Sequence, residues 1–243
     1  MEREAYVEMA QVQDIHWWFR GRREILRSVI CGLGLPESPS ILSIGCGTGG
    51  NLKMLMEFGR VKAVEMNDYA RSIARQRTQE RIDIRAGRLP DQIPFVGPFD
   101  LVCLFDVLEH VECDVDSLIA IRSLVTERGF LLLTVPAYSW MWSAHDERLH
   151  HFRRYNARQL RGKAQAADWS VNKLTYYNTL LFPLAVIARL VDKALGRKQA
   201  SGTGIPPAPL NAFFYRVFSS EKYWLRLSKL PFGVSLMAQL SKK

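Results

Sequence analysis

The stretch Ile41-Leu-Ser-Ile-Gly-Cys-Gly-Thr-Gly-Gly50 decides the fold. Its first half is a short aliphatic run of the kind that forms a buried parallel strand. Its second half alternates Gly45, Gly47 and Gly49, which let the backbone turn tightly and approach a ligand that any Cβ would push away. A helix over 50–58 is expected next, with its first N–H groups aimed back at that ligand. The dinucleotide fingerprint shares a glycine-rich strand-to-helix turn, but the spacing here is G-x-G-x-G rather than G-x-G-x-x-G. The next strand-like run, Val61-Lys-Ala-Val-Glu65, ends in a carboxylate about 20 residues after the first glycine, where an acid suits a ribose diol. The residues therefore read as a nucleoside site.

Outward from the loop, Phe99-Asp-Leu-Val-Cys-Leu-Phe-Asp-Val-Leu-Glu-His-Val111 supplies another buried strand and the start of a helix. Together with the glycine loop and Ala63-Val-Glu-Met-Asn-Asp-Tyr-Ala70, it makes residues 40–135 resemble a class I S-adenosylmethionine-dependent methyltransferase. The likeness is to the ubiquinone-biosynthesis-like and small-molecule-modifying group. The resemblance implies an α/β, Rossmann-like sheet of seven strands, six parallel and the last antiparallel, with helices on both faces. It implies S-adenosylmethionine as cofactor, wrapped by Gly45, Cys46, Gly47 and Gly49. Glu65 would take the ribose hydroxyls, Met66 would flank the adenine, and Asp106 would sit beside the cofactor after the fourth strand. Two positions depart from the family's pattern. Ser43 stands where an acid is usual in the first strand, and Arg88 follows Gly87 where many members have an adenine-binding Asp, which leaves that contact to the backbone at Leu89.

The 243 residues suffice for a single methyltransferase domain over 1–243 with a sizeable core and an insertion. Residues 1–36 read as an N-terminal helical cap. Strands are expected near 40–44, 61–65, 82–86, 100–104, 129–135 and 169–177, with helices near 50–58, 68–78 and 114–126 and one from an Asn156 cap to Ala167. Val234–Leu240 is the expected antiparallel seventh strand, which leaves 178–230 as a helical insertion between strands six and seven. That insertion opens with an apolar run, continues through a Gly-, Ser- and Pro-rich piece over 196–209, and ends in aromatics. The uncharged run from Thr179 to Ala188 falls short of the roughly 20 residues needed to span a bilayer. It suits an interfacial helix, a lid or a dimer contact.

Charge and cysteines bound the partners. The net charge of +9 is localised, because residues 148–198 hold eleven Lys and Arg against Asp168 and Asp192. A basic surface of that kind attracts phosphates of nucleic acid, anionic lipid or a phosphorylated small molecule, although a merely solvated face has the same composition. Cys31, Cys46, Cys103 and Cys113 form no C-x-x-C pair, so reduced thiols are expected rather than disulfides or zinc. The start, Met1-Glu-Arg-Glu-Ala-Tyr6, lacks a basic-then-apolar leader, and a cytoplasmic, possible membrane-associated location follows as an expectation.

Candidate chemistry concentrates after the fifth strand, in Pro136-Ala-Tyr-Ser-Trp-Met-Trp-Ser-Ala-His145-Asp146-Glu-Arg-Leu-His150-His151-Phe-Arg153-Arg154-Tyr155. An acceptor site here would use His145 or His150 as base with Asp146, and Tyr138, Arg153 and Arg154 to hold a phosphate or carboxylate. The alternative is a loop whose His and Arg pair with Asp146. No metal site is expected, because no ligand pair in this stretch has a recognised spacing. In His16-Trp-Trp-Phe-Arg-Gly-Arg-Arg23, Arg20 or Arg23 could address the cofactor's carboxylate while the aromatics cover it. His110 reads as a structural cap. The leading expectation is methyl transfer to a small-molecule acceptor, lipid-linked or phosphorylated. An RNA or DNA methyltransferase is the runner-up, weakened by the absence of an Asn/Asp-Pro-Pro-Tyr/Phe motif after the fourth strand, so a nucleic-acid partner is unlikely. The third expectation is a non-catalytic cofactor-binding adaptor. The sequence leaves the oligomeric state open.

Overall fold

The computed structural model describes residues 3–194 and 204–243. The chain runs α1 (Arg3–Val12), α2 (Trp17–Cys31), β1 (Ser40–Ile44), α3 (Leu52–Met56), β2 (Arg60–Val64), α4 (Asp68–Arg77), β3 (Asp83–Arg85) and β4 (Phe99–Phe105). It continues through α5 (Asp114–Arg122), β5 (Val125–Pro136), α6 (Ala144–Arg148), α7 (Ala157–Ala166), β6 (Trp169–Tyr177), α8 (Phe182–Ala194), α9 (Ala208–Leu227) and β7 (Ser235–Lys242). Short 3-10 turns lie at Leu108–His110 and Ser139–Met141.

The strands form one sheet in the order β3-β2-β1-β4-β5-β7-β6. β1 to β5 pair in parallel, and β7 runs antiparallel to both β5 and β6, so six strands share one direction. Strand order reverses between β1 and β4, which opens a crevice at the carboxyl ends of those two strands. The glycine loop lies there.

Alternation along the strands splits the apolar residues between two cores. Leu42, Ile44, Val102, Leu104, Leu131 and Leu133 face α5 and α7 on one side. Ile41, Leu101, Cys103, Leu132 and Met237 face α2, α3 and α9 on the other. Burial on both faces explains why these strands read as unbroken apolar runs.

Two helices end sooner than the sequence suggests. The expected helix over 50–58 is only Leu52–Met56, since Gly59 must pass Pro39, whose carbonyl oxygen would lie 2.1 Å from a Cβ there. The expected helix over 114–126 stops at Arg122, because Val125 is already paired with Phe99 in the sheet.

The insertion does not stand apart. α9 lies along α2, with the Trp17 ring 5.5 Å from Phe214 and 5.7 Å from Phe218. Gly21 permits this contact, since a Cβ there would be 2.6 Å from the Phe218 ring. Asn211 ties the two ends together, accepting from the Trp17 N–H at 2.8 Å and donating to the Ile15 carbonyl at 2.8 Å. Among the described residues, no helix is long and apolar enough to cross a membrane.

The basic segment is less of a cationic face than its composition implies. Arg148 pairs with Glu8, Arg153 and Lys163 with Asp114, and Arg154 with Asp146, so carboxylates from other elements neutralise at least these four. Arg197 and Lys198, and the first part of the Gly/Ser/Pro piece, lie outside the described residues, as does the Lys193 side chain.

Candidate active site

All three loop glycines adopt the left-handed backbone that the spacing anticipates, with φ of +68° at Gly45, +55° at Gly47 and +83° at Gly49. The N–H groups of Gly45 and Cys46 both donate to the Val64 carbonyl, at 2.8 and 3.1 Å, which hooks the loop onto the end of β2. A Cβ on Gly45 would lie 2.6 Å from a Val107 methyl, whereas one on Gly47 would meet nothing within 4 Å. Gly47 therefore borders open space. Glu65 is buried beneath it, accepting from the Gly47 N–H at 2.7 Å and from the Asn67 N–H at 2.9 Å. Burial raises its pKa, against the pull of those two N–H groups. Met66 beside it is exposed.

The first helix covers this loop. The Thr48 hydroxyl donates to Gln13 Oε1 at 3.1 Å, and a Cβ on Gly50 would lie 2.2 Å from that same oxygen. Tyr6 is buried close to Glu65 and Cys46, and burial together with those groups raises its pKa. Arg23 reaches the Gly50 carbonyl at 3.5 Å. Arg20 does not come to the loop. Its guanidinium lies 4.3 Å from the Tyr215 ring centre on α9, because α9 occupies that face of α2.

Arg22 does what Arg20 was expected to do, but to the protein itself. It crosses from α2 to Asp106 at 2.8 Å and donates to the Thr134 hydroxyl at 3.1 Å. Thr134 in turn donates to Asp106 at 3.0 Å. Asp106 has φ of +57° directly after β4, and Arg22 and Thr134 fix its carboxylate at the crevice between β1 and β4. Leu89 packs its side chain into the core, and the neighbouring Arg88 N–H is bonded to the Gln92 carbonyl at 2.9 Å.

The loop after β5 differs from its sequence reading. Asp146 is fully buried and accepts four hydrogen bonds: from the Ser143 N–H (2.9 Å), the Ser143 hydroxyl (3.1 Å), Arg154 Nε (2.7 Å) and His151 Nδ1 (2.9 Å). Burial acts to raise its pKa, yet the bonds from His151 and Arg154 outweigh that and hold it low. A carboxylate so saturated has no lone pair left for an acceptor. His150 has φ of +55° and points outward into solvent, while His145 sits on α6, half-buried. Of the expected acid–base set of His145, Asp146 and His150, Asp146 takes His151, not His150, as its hydrogen-bond partner. Arg153 and Arg154 are likewise engaged within the protein. Arg153 pairs with Asp114 at 2.7 Å and donates to the Glu112 carbonyl at 2.9 Å. Arg154 is buried on Asp146 and the Ala137 carbonyl. Both guanidiniums brace the loop.

Tyr138, by contrast, stands in a wall of aromatics. Its ring is 5.2 Å from Tyr176 and nearly parallel, 5.6 Å from Trp140 and 5.8 Å from Phe182. Burial and the bond with Tyr176 push its phenol up to about 12. The wall joins the loop after β5 to the carboxyl end of β6 and the start of α8.

With this geometry in place, similarity to known proteins decides the family. Residues 18–174, well over half the chain, match the model of the methyltransferase domain. The chain belongs to the S-adenosylmethionine-dependent methyltransferases. Over 75 residues it is 37% identical to the dTDP-4-amino-2,3,4,6-tetradeoxy-D-glucose N,N-dimethyltransferase of Saccharopolyspora spinosa, a stretch spanning 30% of this chain and 27% of that enzyme. Its fold is similar to that of a candidate sarcosine dimethylglycine methyltransferase from Galdieria sulphuraria, with a TM-score of 0.62, 13% identity, and 91% of this chain and 85% of that one covered. It is similar also to the [4+2]-cyclase SpnF, with a TM-score of 0.59, 16% identity, and coverage of 90% and 81%. The last likeness illustrates that the fold alone leaves the reaction open.

The methyltransferase's cofactor is S-adenosylmethionine, and the residues present fit it. Open space flanks Gly47, a buried carboxylate stands at the end of β2, and Asp106 is held at the crevice mouth.

Sequence reasoning missed Arg22, Glu109 and His151, and it gave His110 only a capping role. Glu109 is fully buried, its carbonyl accepts the Phe152 N–H at 2.8 Å, and neither of its carboxylate oxygens has a hydrogen-bond partner among the described residues. The His110 and His151 rings lie 4.5 Å apart, edge to face. The one signal available was the Asp106-x-x-Glu109-His110 spacing directly after a buried strand.

Proposed function

We propose that this methyltransferase transfers the methyl group of S-adenosylmethionine to a small-molecule acceptor held against the aromatic wall of Tyr138, Trp140, Tyr176 and Phe182. The observation that carries the reading is the left-handed Gly45–Gly49 loop with Glu65 locked beneath it and open space at Gly47. The cofactor supplies an already activated methyl group, so the chain's task is in-line alignment at about 3–3.5 Å and exclusion of water. Gly45, Cys46, Gly47 and Gly49 give backbone contact, Glu65 serves the ribose, and Met66 and the Leu89 backbone border the adenine. Asp106, neutralised by Arg22, flanks the amino-acid end. Tyr6 on α1 and Gln13 directly after it close the loop from above and keep water out.

Calorimetry tests this directly. The wild type is expected to bind S-adenosylmethionine one to one. Glu65→Ala is expected to weaken binding about 100-fold, the loss of one charge-assisted hydrogen-bond pair. Unchanged affinity in that variant would falsify the cofactor geometry.

The acceptor is further proposed to be lipid-linked or phosphorylated, met at the cytoplasmic surface of an anionic membrane. Leu184, Ile187 and Val191 recur at helical spacing along α8 and, like Leu180 just before it, are exposed, and Arg189 lies on the same helix. The relative from S. spinosa, named for a nucleotide-linked amino sugar, lends support to a phosphorylated acceptor. Pairing of Arg148, Arg153, Arg154 and Lys163 within the protein weakens the case for nucleic acid. In flotation, the protein is expected to rise with phosphatidylglycerol vesicles and to lose that behaviour in the Leu184→Ser/Ile187→Ser variant. Protein that stays at the bottom of the gradient with its α8 intact refutes the membrane reading.

A further inference from the structure

We propose that Glu109, His110 and His151 form a binding site for a divalent transition-metal ion of the zinc, cobalt or manganese class. One ligand atom from each of the three side chains lies within 4.8 Å of the other two. A tetrahedral ion with bonds of about 2.0–2.1 Å holds its ligands about 3.3 Å apart. The side chains therefore close on the ion by up to about 1.5 Å, within the reach of small rotamer changes.

Three features set this cluster apart from a chance meeting of polar groups. The first is Glu109. Its side chain is fully buried, and both carboxylate oxygens lack any hydrogen-bond partner among the described residues. A buried carboxylate left without a donor is costly, and a cation is the partner that removes the cost. Arg22 and Arg154 lie near it electrostatically, but Arg22 turns its Nη2 to Asp106 and Thr134 and leaves its Nε unpaired, Arg154 is taken by Asp146 and the Ala137 carbonyl, and neither donates to Glu109.

The second is the state of His151. Its Nδ1 lies 2.9 Å from Asp146, a carboxylate that only accepts, so Nδ1 carries the proton donated there and Nε2 is the ring nitrogen left for an ion. A carboxylate–imidazole pair of this kind orients metal-binding histidines and fixes their tautomer. Asp146 is in turn pinned by Arg154 and Ser143, so the imidazole cannot swing away freely.

The third is how the chain brings the ligands together. Glu109 and His110 sit in the 3-10 turn directly after β4, and His151 sits in the loop after β5. The Phe152 N–H donates to the Glu109 carbonyl at 2.8 Å and clips one segment to the other. Two imidazoles and one carboxylate favour zinc-like ions over magnesium or calcium, which prefer all-oxygen sets.

The test uses the full-length protein, stripped with chelator and dialysed. Titration with Co2+ is expected to give a one-to-one visible absorption spectrum of a low-coordinate nitrogen/oxygen site, displaced by Zn2+. Glu109→Gln and His151→Ala are each expected to weaken binding at least 100-fold, while His150→Ala, one residue from the cluster, keeps it. Circular dichroism checks that each variant folds. The wild-type spectrum decides the matter even where a variant does not. No Co2+ spectrum and no heat with Zn2+, or wild-type affinity in both Glu109→Gln and His151→Ala, overturns the site. S-Adenosylmethionine binding is measured on the same stripped sample. Its loss there would count against the proposed function, whereas its retention without metal binding would count against this site alone.

Discussion

Gly45 and Gly47 share a left-handed backbone but not a neighbourhood, and the difference is measurable. Alanine at either position carries the cost of positive φ, about 1 kcal/mol. At Gly45 the new methyl would also be driven to 2.6 Å from Val107, which adds an overpacking cost of about 1–3 kcal/mol. At Gly47 it would enter open space. Urea unfolding is therefore expected to show Gly45→Ala as clearly the less stable variant. Gly47→Ala should lose only the cost of positive φ, about 1 kcal/mol, while losing at least tenfold in S-adenosylmethionine affinity. Equal stability of the two variants contradicts the assignment. The glycine spacing announced this loop in the sequence, since only residues lacking Cβ satisfy it. The His150-His151 pair shows the opposite case. Two identical residues are indistinguishable in sequence, and only the φ of +55° at His150 sends one side chain to solvent and the other to Asp146.

Between elements, Asp114 is the joint. It begins α5, accepts from Lys163 on α7 at 2.8 Å and from the Tyr155 hydroxyl at 2.9 Å, and pairs with Arg153 at 2.7 Å. Burial alone would raise its pKa, but Lys163, Arg153 and Tyr155 together lower it. A lowered folded-state pKa adds stability that is present above the unfolded carboxylate value of about 3.9 and fades as pH falls through the folded value. Asp114→Asn is expected to cost about 2 kcal/mol at pH 7. The gap to wild type should shrink below about pH 4. Chemical denaturation across that range measures it, and a gap independent of pH contradicts the ion-paired joint. Helix lengths at this scale were only partly legible. Helical residues could be recognised around α3 and α5, but their ends were set by Pro39 crossing Gly59 and by Val125 pairing with Phe99. Both are contacts distant in sequence.

Across the whole molecule, the insertion and the N-terminal helices hold each other against one face of the sheet. Glu221 on α9 is the anchor. It is fully buried and accepts from the N–H groups of Asn178, Thr179 and Leu180 at 2.7, 2.7 and 2.8 Å, where β6 gives way to the insertion. Arg226 donates to Ser28 at 2.8 Å and Lys222 approaches Glu24 at 3.4 Å, which extends the contact along α2. Glu221→Ala leaves three donors unpaired, two of them buried, and is expected to cost about 3 kcal/mol. Glu221→Gln, which keeps one acceptor, should cost clearly less. Thermal melts of the two variants compare them, and coincident melts would remove Glu221 from this role.

What the sequence determined by itself was the order and type of strands, the glycine loop and the acid at the end of β2. Each depends on local chemistry: aliphatic runs buried on both faces, positive φ open to glycine, a carboxylate at fixed spacing. What only the tertiary structure decided was which polar side chains meet. Arg22 rather than Arg20 reaches Asp106, Arg153 and Arg154 brace the loop rather than await a ligand, and His151 rather than His150 joins Glu109 and His110. The reason is physical. Backbone preferences are set by near neighbours, whereas the pairing of buried charges is set by which elements the packed core brings within about 3 Å of one another.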